Sequence, residues 1–249
     1  MIGLVAGTLL AVAAGAAPER VTFAIRDHPQ ALHVYGTRGG APAVVASGDG
    51  GWIHLGPDVA AFLAEQGYFV VGVDSKAYLA SFTKGRTTLT VADVPGDFAA
   101  LAAYAAQGAA APPLLVGVSE GAALAVLAAS DPAVKAKALG VVALGLPDQA
   151  ELGWRFRDSI IYITKGVPKE PLFSSADVIG KVAPLPVAAL HSTHDEFVDP
   201  SEVQRVMARA GSPSRLWMIE ARDHRFSGAT PELRRRLLEA IEWIRSQRR

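Results

Sequence analysis

Residues 117–121 read Gly-Val-Ser-Glu-Gly, so a serine stands between two glycines at the spacing G-x-S-x-G. The apolar run 114–116 precedes this pentapeptide, and the alanine-rich run 122–129 follows it. Where a strand turns sharply into a helix, the turn lifts a serine hydroxyl above the sheet edge, and flanking glycines avoid Cβ collisions. The pattern therefore predicts that Ser119 is a nucleophile. The alternative interpretation is an ordinary glycine turn.

A nucleophilic serine needs a base and an acid that orients the base, and after a G-x-S-x-G turn these follow in the order Asp, then His. Asp195 comes after the apolar run 187–191, and His224 comes after the apolar run 215–219. Because ligands and reactive groups gather beyond the carboxyl ends of parallel strands, we expect both side chains to lie near Ser119. The predicted chemistry is ester hydrolysis through a Ser-His-Asp triad.

Other aspartates and histidines offer weaker alternatives. Asp148 and Asp199 are the alternative acids, while His191 and His194 are better explained as packed or loop scaffolding. Together with Asp195 these side chains could be drawn as a metal site, but His-x-x-His-Asp after a strand is a loose ligand pattern. We predict neither a metal nor a cofactor. The remaining histidines precede the nucleophile and fit the expected order poorly: His28, His33 and His54.

A glycine-rich loop follows the first strongly apolar run, 42–46, and residues 47–52 of this loop read Ser-Gly-Asp-Gly-Gly-Trp. Ester hydrolysis passes through an oxyanion that backbone amides can stabilise. We expect the amides of Asp49 and Glu120 to form this oxyanion hole, with Gly50 as the alternative to Asp49. The loop is not followed by Gly-Lys-Ser/Thr and lacks G-x-G-x-x-G, which argues against a nucleotide site.

Four carboxylates come close to these residues in the sequence: Asp49, Glu120, Glu196 and Asp199. Together they would disfavour an anionic acyl group and attract an ammonium such as that of a lysyl ester. The alternative is that these side chains face solvent or cap backbone amides.

Short apolar strands alternate with helical stretches along the chain, which is typical of a mostly parallel sheet covered by helices. The predicted strands are 21–26, 31–35, 42–46, 69–73, 114–116, 139–144, 187–191 and 215–219. The predicted helices are 57–66, 97–107, 122–129 and a last one that begins at Thr230.

This order of elements, together with the G-x-S-x-G turn, predicts the α/β-hydrolase fold with a mostly parallel central sheet flanked by helices. Residues 81–90 are polar and are predicted to form a loop. The stretch 147–184 is irregular and rich in proline and aromatic residues, so we expect it to form a cap-like insertion over the site.

The composition limits the functional classes. The 249 residues carry 24 basic and 24 acidic side chains, and this balance gives no attraction to nucleic acid. Cysteine is absent, which excludes thiol catalysis and disulfides. Residues 1–17 are apolar and end in small residues, which predicts a signal peptide and a mature single domain over 18–249. We expect a periplasmic protein, which N-terminal sequencing of the exported chain would test.

With these residues in place, the chain resembles the bacterial VirJ/AcvB virulence-associated proteins, a branch of the α/β-hydrolases. Its most specific match is the loop 47–52, and the nucleophile turn also matches. Two differences from the family pattern are Val118 and Glu120, where the family usually has Tyr and Phe, and Leu79-Ala80, where it tends to have Phe-Trp. The remaining matches are Asp58-Val59, Gly67-Tyr68, residues 70–75, Tyr78 and His224-Arg225-Phe226.

The resemblance implies a periplasmic protein that hydrolyses aminoacylated phosphatidylglycerol, chiefly the lysyl ester. The sequence thus predicts an exported serine esterase whose partner is a small-molecule or lipid ester, with peripheral contact with membrane lipid. One alternative is a general periplasmic carboxylesterase acting on small or cell-wall esters. The other is a non-catalytic α/β-hydrolase scaffold that assists envelope assembly or secretion.

Overall fold

The computed structural model describes residues 18–155 and 170–248. Within them an eight-stranded sheet runs in the order β1-β2-β4-β3-β5-β6-β9-β10, and β7 and β8 pair as a separate ribbon. The strands are β1 Glu19–Ile25, β2 His28–Tyr35, β3 Ala41–Ala46, β4 Tyr68–Val73, β5 Leu114–Val118, β6 Gly140–Leu144, β7 Gln149–Glu151, β8 Leu172–Ser174, β9 Val187–Ser192 and β10 Ser214–Ile219.

The sheet is parallel from β4 to β10, while β1 and β2 form an antiparallel hairpin at one edge. All residues of β4, β5, β6 and β9 are buried, which explains their continuous apolar sequences. A strand covered on both faces needs no polar alternation. The predicted mostly parallel sheet flanked by helices is confirmed.

Helices cover the two faces of the sheet. They are α1 Leu55–Glu65, α2 Ser75–Phe82, α3 Asp93–Ala105, α4 Glu120–Ala129, α5 Pro132–Lys137, α6 Ser175–Val178, α7 Pro200–Ala208 and α8 Thr230–Ser246. Apolar residues of α1 and α8 share one core with one face of the strands, and those of α3, α4 and α7 share the other. In β3 the side chains alternate between these two cores, because successive side chains of a strand point to opposite faces. The order of the strands in the sheet fixes which loops meet at its edge.

Four helices were not predicted from the sequence: α2, α5, α6 and α7. Helix α2 ends at Phe82, so the predicted loop 81–90 begins slightly too early. Helices α2, α5 and α7 each begin just after an aspartate whose carboxylate accepts amide hydrogen bonds of the first turn: Asp74, Asp131 and Asp199. The capping aspartates are visible in the sequence. The helices themselves are too short for their apolar residues to show a clear helical period.

The predicted cap-like insertion, 147–184, is described only at its two ends, because residues 156–169 lie outside the described residues. The described ends contain the antiparallel pair of β7 and β8, then α6 and the 3-10 turn Ile179–Val182. The predicted signal peptide, 1–17, also lies outside the described residues. Within the described part of the chain, none of the helices has both the length and the apolar character needed to span a bilayer.

Candidate functional site

Ser119 lies between β5 and α4 with φ 52° and ψ −119°, a backbone conformation that is rare for a residue with a side chain. The glycines on either side allow this turn. A Cβ on Gly117 would lie 2.1 Å from the carbonyl oxygen of Gly121, and one on Gly121 would lie 2.4 Å from that of Ala46. The amide of Ser119 donates to the carbonyl of Leu144 at 2.8 Å, which ties the turn to β6.

The glycine-rich loop after β3 lies directly against this turn. A Cβ on Gly48 would approach the Cβ of Ser119 to 3.3 Å. Asp49 and Glu120 both line the cavity that contains Ser119. Among the described residues, neither of their amides donates a hydrogen bond to another protein group, which leaves both available to an oxyanion. Gly50, the alternative to Asp49, lines the same cavity.

Trp52 anchors this loop on β4. Its ring lies over Gly72, where a Cβ would come within 2.2 Å of the indole, and it stacks on His33 with ring centroids 4.8 Å apart. Its indole N–H donates to the hydroxyl of Tyr35 at 3.3 Å. At the start of the loop, the hydroxyl of Ser47 accepts the amide hydrogen of residue 75 at 3.1 Å. The loop is therefore held at both ends by β4 and the residues that follow it.

His224 and Asp195 meet at the carboxyl ends of β10 and β9. Nδ1 of His224 lies 2.6 Å from Oδ2 of Asp195, and the other carboxylate oxygen accepts the amides of Phe197 at 3.0 Å and Val198 at 2.8 Å. Burial alone would raise the pKa of Asp195, but the hydrogen bonds from His224 and the two amides outweigh it and lower the pKa. Asp195 is thus an ionised acceptor, so the proton of His224 lies on Nδ1 and Nε2 is left as an acceptor.

Two further contacts orient His224. Its backbone amide donates to a carboxylate oxygen of Glu196 at 2.8 Å, and the ring of Phe197 packs edge-on against its imidazole, with centroids 5.6 Å apart. A Cβ on Gly145 would lie 2.7 Å from Cε1 of His224, so the loop after β6 closes on the imidazole from the other side.

A cavity of about 800 Å³ contains these groups. Ser119 and His224 both line its wall. The ends of the segment 147–184 contribute Gln149, Glu151, Trp154 and Leu172 to the same wall. The volume is within the usual range of small-molecule sites, roughly 300–1,000 Å³.

The alternative acids have other partners. Asp148 accepts from the hydroxyl of Ser174 and the amide of Ala176, at 2.6 and 3.0 Å, at the start of α6. Asp199 accepts the amide of Ser201 at 2.7 Å at the start of α7. Both carboxylates stabilise helix starts, and neither lines the cavity.

The two alternative histidines occupy separate positions. His191 is fully buried, with Nε2 3.0 Å from the carbonyl of Val198, and His194 lies on the surface with Nδ1 3.0 Å from the carbonyl of Ala221. Within residues 18–155 and 170–248, no three His, Asp or Glu side chains converge as a metal site would require.

The four carboxylates expected near the site divide into two pairs. Asp49 and Glu120 line the cavity. Glu196 accepts the amide of His224 and Asp199 caps α7, so these two fit the alternative that the carboxylates cap backbone amides. The carboxyl of Glu120 accepts the amide of Glu151 at 2.8 Å. Burial, together with the nearby Asp49 and Glu151 carboxylates, raises the pKa of Glu120 well above its usual value.

Sequence reasoning missed Glu151 and Lys76. Glu151 reaches the cavity on β7, a strand too short to show a periodic pattern. Lys76 also lines the cavity, and its ammonium lies 4.4 Å from the ring centroid of Trp154. It follows the carboxyl end of β4 by three residues, and this position at a strand end is the signal that could have identified it.

Solved structures with the same fold include a phospholipase, an α/β hydrolase and an esterase. A bacterial membrane phospholipase A described as a virulence factor is 15% identical over 92% of this chain and 87% of its own, with a TM-score of 0.66. The α/β hydrolase GrgF from Penicillium sp. sh18 is 12% identical over 93% and 100%, with a TM-score of 0.67. The esterase Pf2001 of Pyrococcus furiosus is 17% identical over 90% and 89%, with a TM-score of 0.65.

At these identities the structural likeness establishes the α/β-hydrolase fold. A comparison with curated protein sequences gave no significant match. The model of the family described as bacterial virulence protein (VirJ) matches residues 41–196, which is more than half of the chain and includes the glycine-rich loop, the Ser119 turn and Asp195. The chain therefore belongs to the VirJ family of bacterial virulence proteins, within the α/β-hydrolase fold.

Proposed function

We propose that this protein is an exported serine hydrolase that cleaves an ester through Ser119, His224 and Asp195. The observation that carries the proposal is the hydrogen bond from His224 to the ionised Asp195, because it leaves Nε2 of His224 as an acceptor in the cavity that Ser119 also lines. The fold shared with an esterase and a phospholipase supports hydrolysis as the reaction class.

In the proposed reaction, Oγ of Ser119 attacks the ester carbonyl while Nε2 of His224 accepts the hydroxyl proton. The amides of Asp49 and Glu120 stabilise the oxyanion. His224 then gives its proton to the departing alcohol, which leaves an acyl group on Ser119. A water molecule attacks this acyl-enzyme, again with His224 as the base, and the free acid is released. Asp195 holds the imidazole in the useful tautomer throughout.

The first test is the reaction of Ser119 with a fluorophosphonate probe. We expect the wild-type protein to be labelled at Ser119 and the Ser119→Ala variant to be unlabelled, with loss of ester turnover by about 10⁶-fold on the serine-protease precedent. Mass spectrometry of the labelled peptide and an ester assay give the two readouts. A protein that folds normally but neither reacts with the probe nor cleaves any ester would be a non-catalytic scaffold.

The second test separates Asp195 from Asp148. In Asp195→Asn the amide group would face Nδ1 of His224 and favour the tautomer with the proton on Nε2, which cannot accept the proton of Ser119. We expect a fall in kcat of about 10⁴-fold. Asp148→Asn keeps an acceptor for Ser174 and Ala176, and should change kcat little. Steady-state kinetics on one ester would contradict the assignment if Asp148→Asn were the damaging change.

For the substrate we propose an aminoacyl ester of a lipid head group, the lysyl ester of phosphatidylglycerol first. Membership of the VirJ family and the carboxylates of the cavity wall support this choice. Asp49 and Glu151 line the wall beside Glu120, whose pKa is raised by burial and by these two carboxylates. Lys76 and Arg225 line the same wall, so an ammonium gains only beside Asp49 or Glu151, where a partly exposed pair contributes about 0–1 kcal/mol.

The raised pKa of Glu120 has a consequence for the pH dependence of stability. The pKa of Glu120 is raised in the folded protein. Its contribution to the stability of the fold is therefore complete below the ordinary Glu pKa of about 4.3 and is lost as the pH rises toward the raised pKa. Glu120→Gln can still accept the amide of Glu151 and has no proton to lose. We therefore expect the Tm of this variant, relative to wild type, to increase between pH 4 and pH 8.

Glu232→Gln is the control of opposite sign, because Arg235 and Arg236 lower the pKa of this exposed carboxylate to about 2. The contribution of Glu232 to stability is present above the ordinary Glu pKa. Glu232→Gln should therefore lose a little stability relative to wild type as the pH rises. Thermal unfolding monitored by circular dichroism gives both profiles. A Tm difference for Glu120→Gln that does not depend on pH would contradict a raised pKa of Glu120.

The substrate proposal is tested by comparing a lysyl ester with a matched neutral acyl ester at low salt, where surface charges are least screened. We expect Asp49→Asn and Glu151→Gln each to lower kcat/KM for the lysyl ester up to about fivefold, with a smaller loss on the neutral ester. Glu120→Gln should affect the two esters more nearly equally, because the raised pKa of Glu120 favours its uncharged form. Exposed Glu242→Gln is the control. Equal losses on both esters for Asp49→Asn and Glu151→Gln would refute the lysyl assignment.

A further inference from the structure

Three large apolar side chains stand exposed at the opening of the cavity that contains Ser119. Ile53 is 52% exposed, Leu172 is 40% exposed and Phe197 is 63% exposed, and all three line the cavity. A side chain that both lines a cavity and is largely exposed must lie at its mouth. In the described part of the chain only Val91, at 48%, is a comparably exposed large apolar residue, and it does not line the cavity.

These three residues, which we call the apolar rim, come from separate segments and are held in place by the backbone. Ile53 lies in the loop after β3, and its amide donates to the carbonyl of Gly51 at 2.8 Å. Leu172 is paired with Glu151 in the β7–β8 ribbon. Phe197 lies in the loop after β9, with its amide bound to Asp195. The apolar rim is therefore contributed by three separate segments whose backbone is held by hydrogen bonds or strand pairing.

Two cations accompany the apolar rim. Lys76 and the exposed Arg225 line the same cavity. Lys76 packs over the ring of Trp154, another residue of the cavity wall. Apolar side chains with cations beside them match the surface of a phospholipid bilayer, where acyl chains lie just below phosphate groups.

We propose that the apolar rim, with Lys76 and Arg225, docks this protein on a phospholipid bilayer. A second copy of the chain or a protein partner seated on these side chains would cover the opening that leads to Ser119. A bilayer seated there presents ester lipids to the same opening. In this respect the inference rests on the proposed function, but docking itself needs no turnover.

The test is flotation of the full chain with vesicles of phosphatidylcholine alone and of phosphatidylcholine with 30% phosphatidylglycerol. We expect binding to both, tighter to the anionic vesicles. The double change Ile53→Ser and Leu172→Ser should weaken binding to both by at least tenfold, because apolar side chains are removed from the interface. The matched control, Val91→Ser, removes an equally exposed apolar side chain away from the cavity and should bind as wild type does. Thermal unfolding checks that each variant is folded.

Three results would overturn the proposal. One is a wild-type chain that floats with neither kind of vesicle. Another is a double variant that binds as tightly as wild type, which would reduce the binding to general electrostatics. The third is a wild-type dimer, seen by light scattering, that dissociates in the double variant, because a second copy would then cover the apolar rim. Ser119→Ala should float as wild type does, so that loss of docking and failure of the proposed esterase activity can be told apart.

Discussion

The rest of the site depends on the backbone conformation of Ser119. A positive φ at a residue with a side chain costs on the order of 1–3 kcal/mol and persists only where the surroundings fix it. Here β5 and α4 are buried along their whole length on either side of the turn, and the Ser119 amide is tied to β6. The chain cannot relax this turn without moving buried elements, so the hydroxyl is held above the sheet at the point where the loops after β3, β9 and β10 converge.

The loop 47–52 packs against the Ser119 turn and is bound to β4 and the residues that follow it. The nucleophile turn leaves room for this loop only because Gly121 lacks a side chain, and the loop keeps its position because Trp52 lies over Gly72 and Ser47 binds the amide of residue 75. The most specific part of the family resemblance is therefore scaffolding for the proposed oxyanion hole. The cavity wall is completed by the side chain of Asp49 in this loop and by Glu151 and Leu172, which β7 and β8 bring to the cavity.

The sequence predicted the features that depend on local pattern. Continuous apolar runs located the buried strands, and the glycine spacing located the turn at Ser119, because each follows from a few neighbouring residues. The partnership of Asp195 with His224 was inferred from chain order and is present as a 2.6 Å contact. The raised pKa of Glu120 and the approach of Glu151 could not be predicted, since both depend on β7 packing against α4, which brings the amide of Glu151 to the carboxyl of Glu120, 31 residues away.

The burial of Glu120 also affects the charge of the cavity wall. Burial, together with the neighbouring carboxylates of Asp49 and Glu151, raises the pKa of Glu120. A raised pKa favours the uncharged form of the carboxyl that follows Ser119 in the chain. An anion directly beside the proposed oxyanion hole would oppose the charge that develops on the substrate carbonyl. Burial of Glu120 therefore favours the uncharged carboxyl beside the proposed oxyanion hole, where an anion would hinder the proposed reaction.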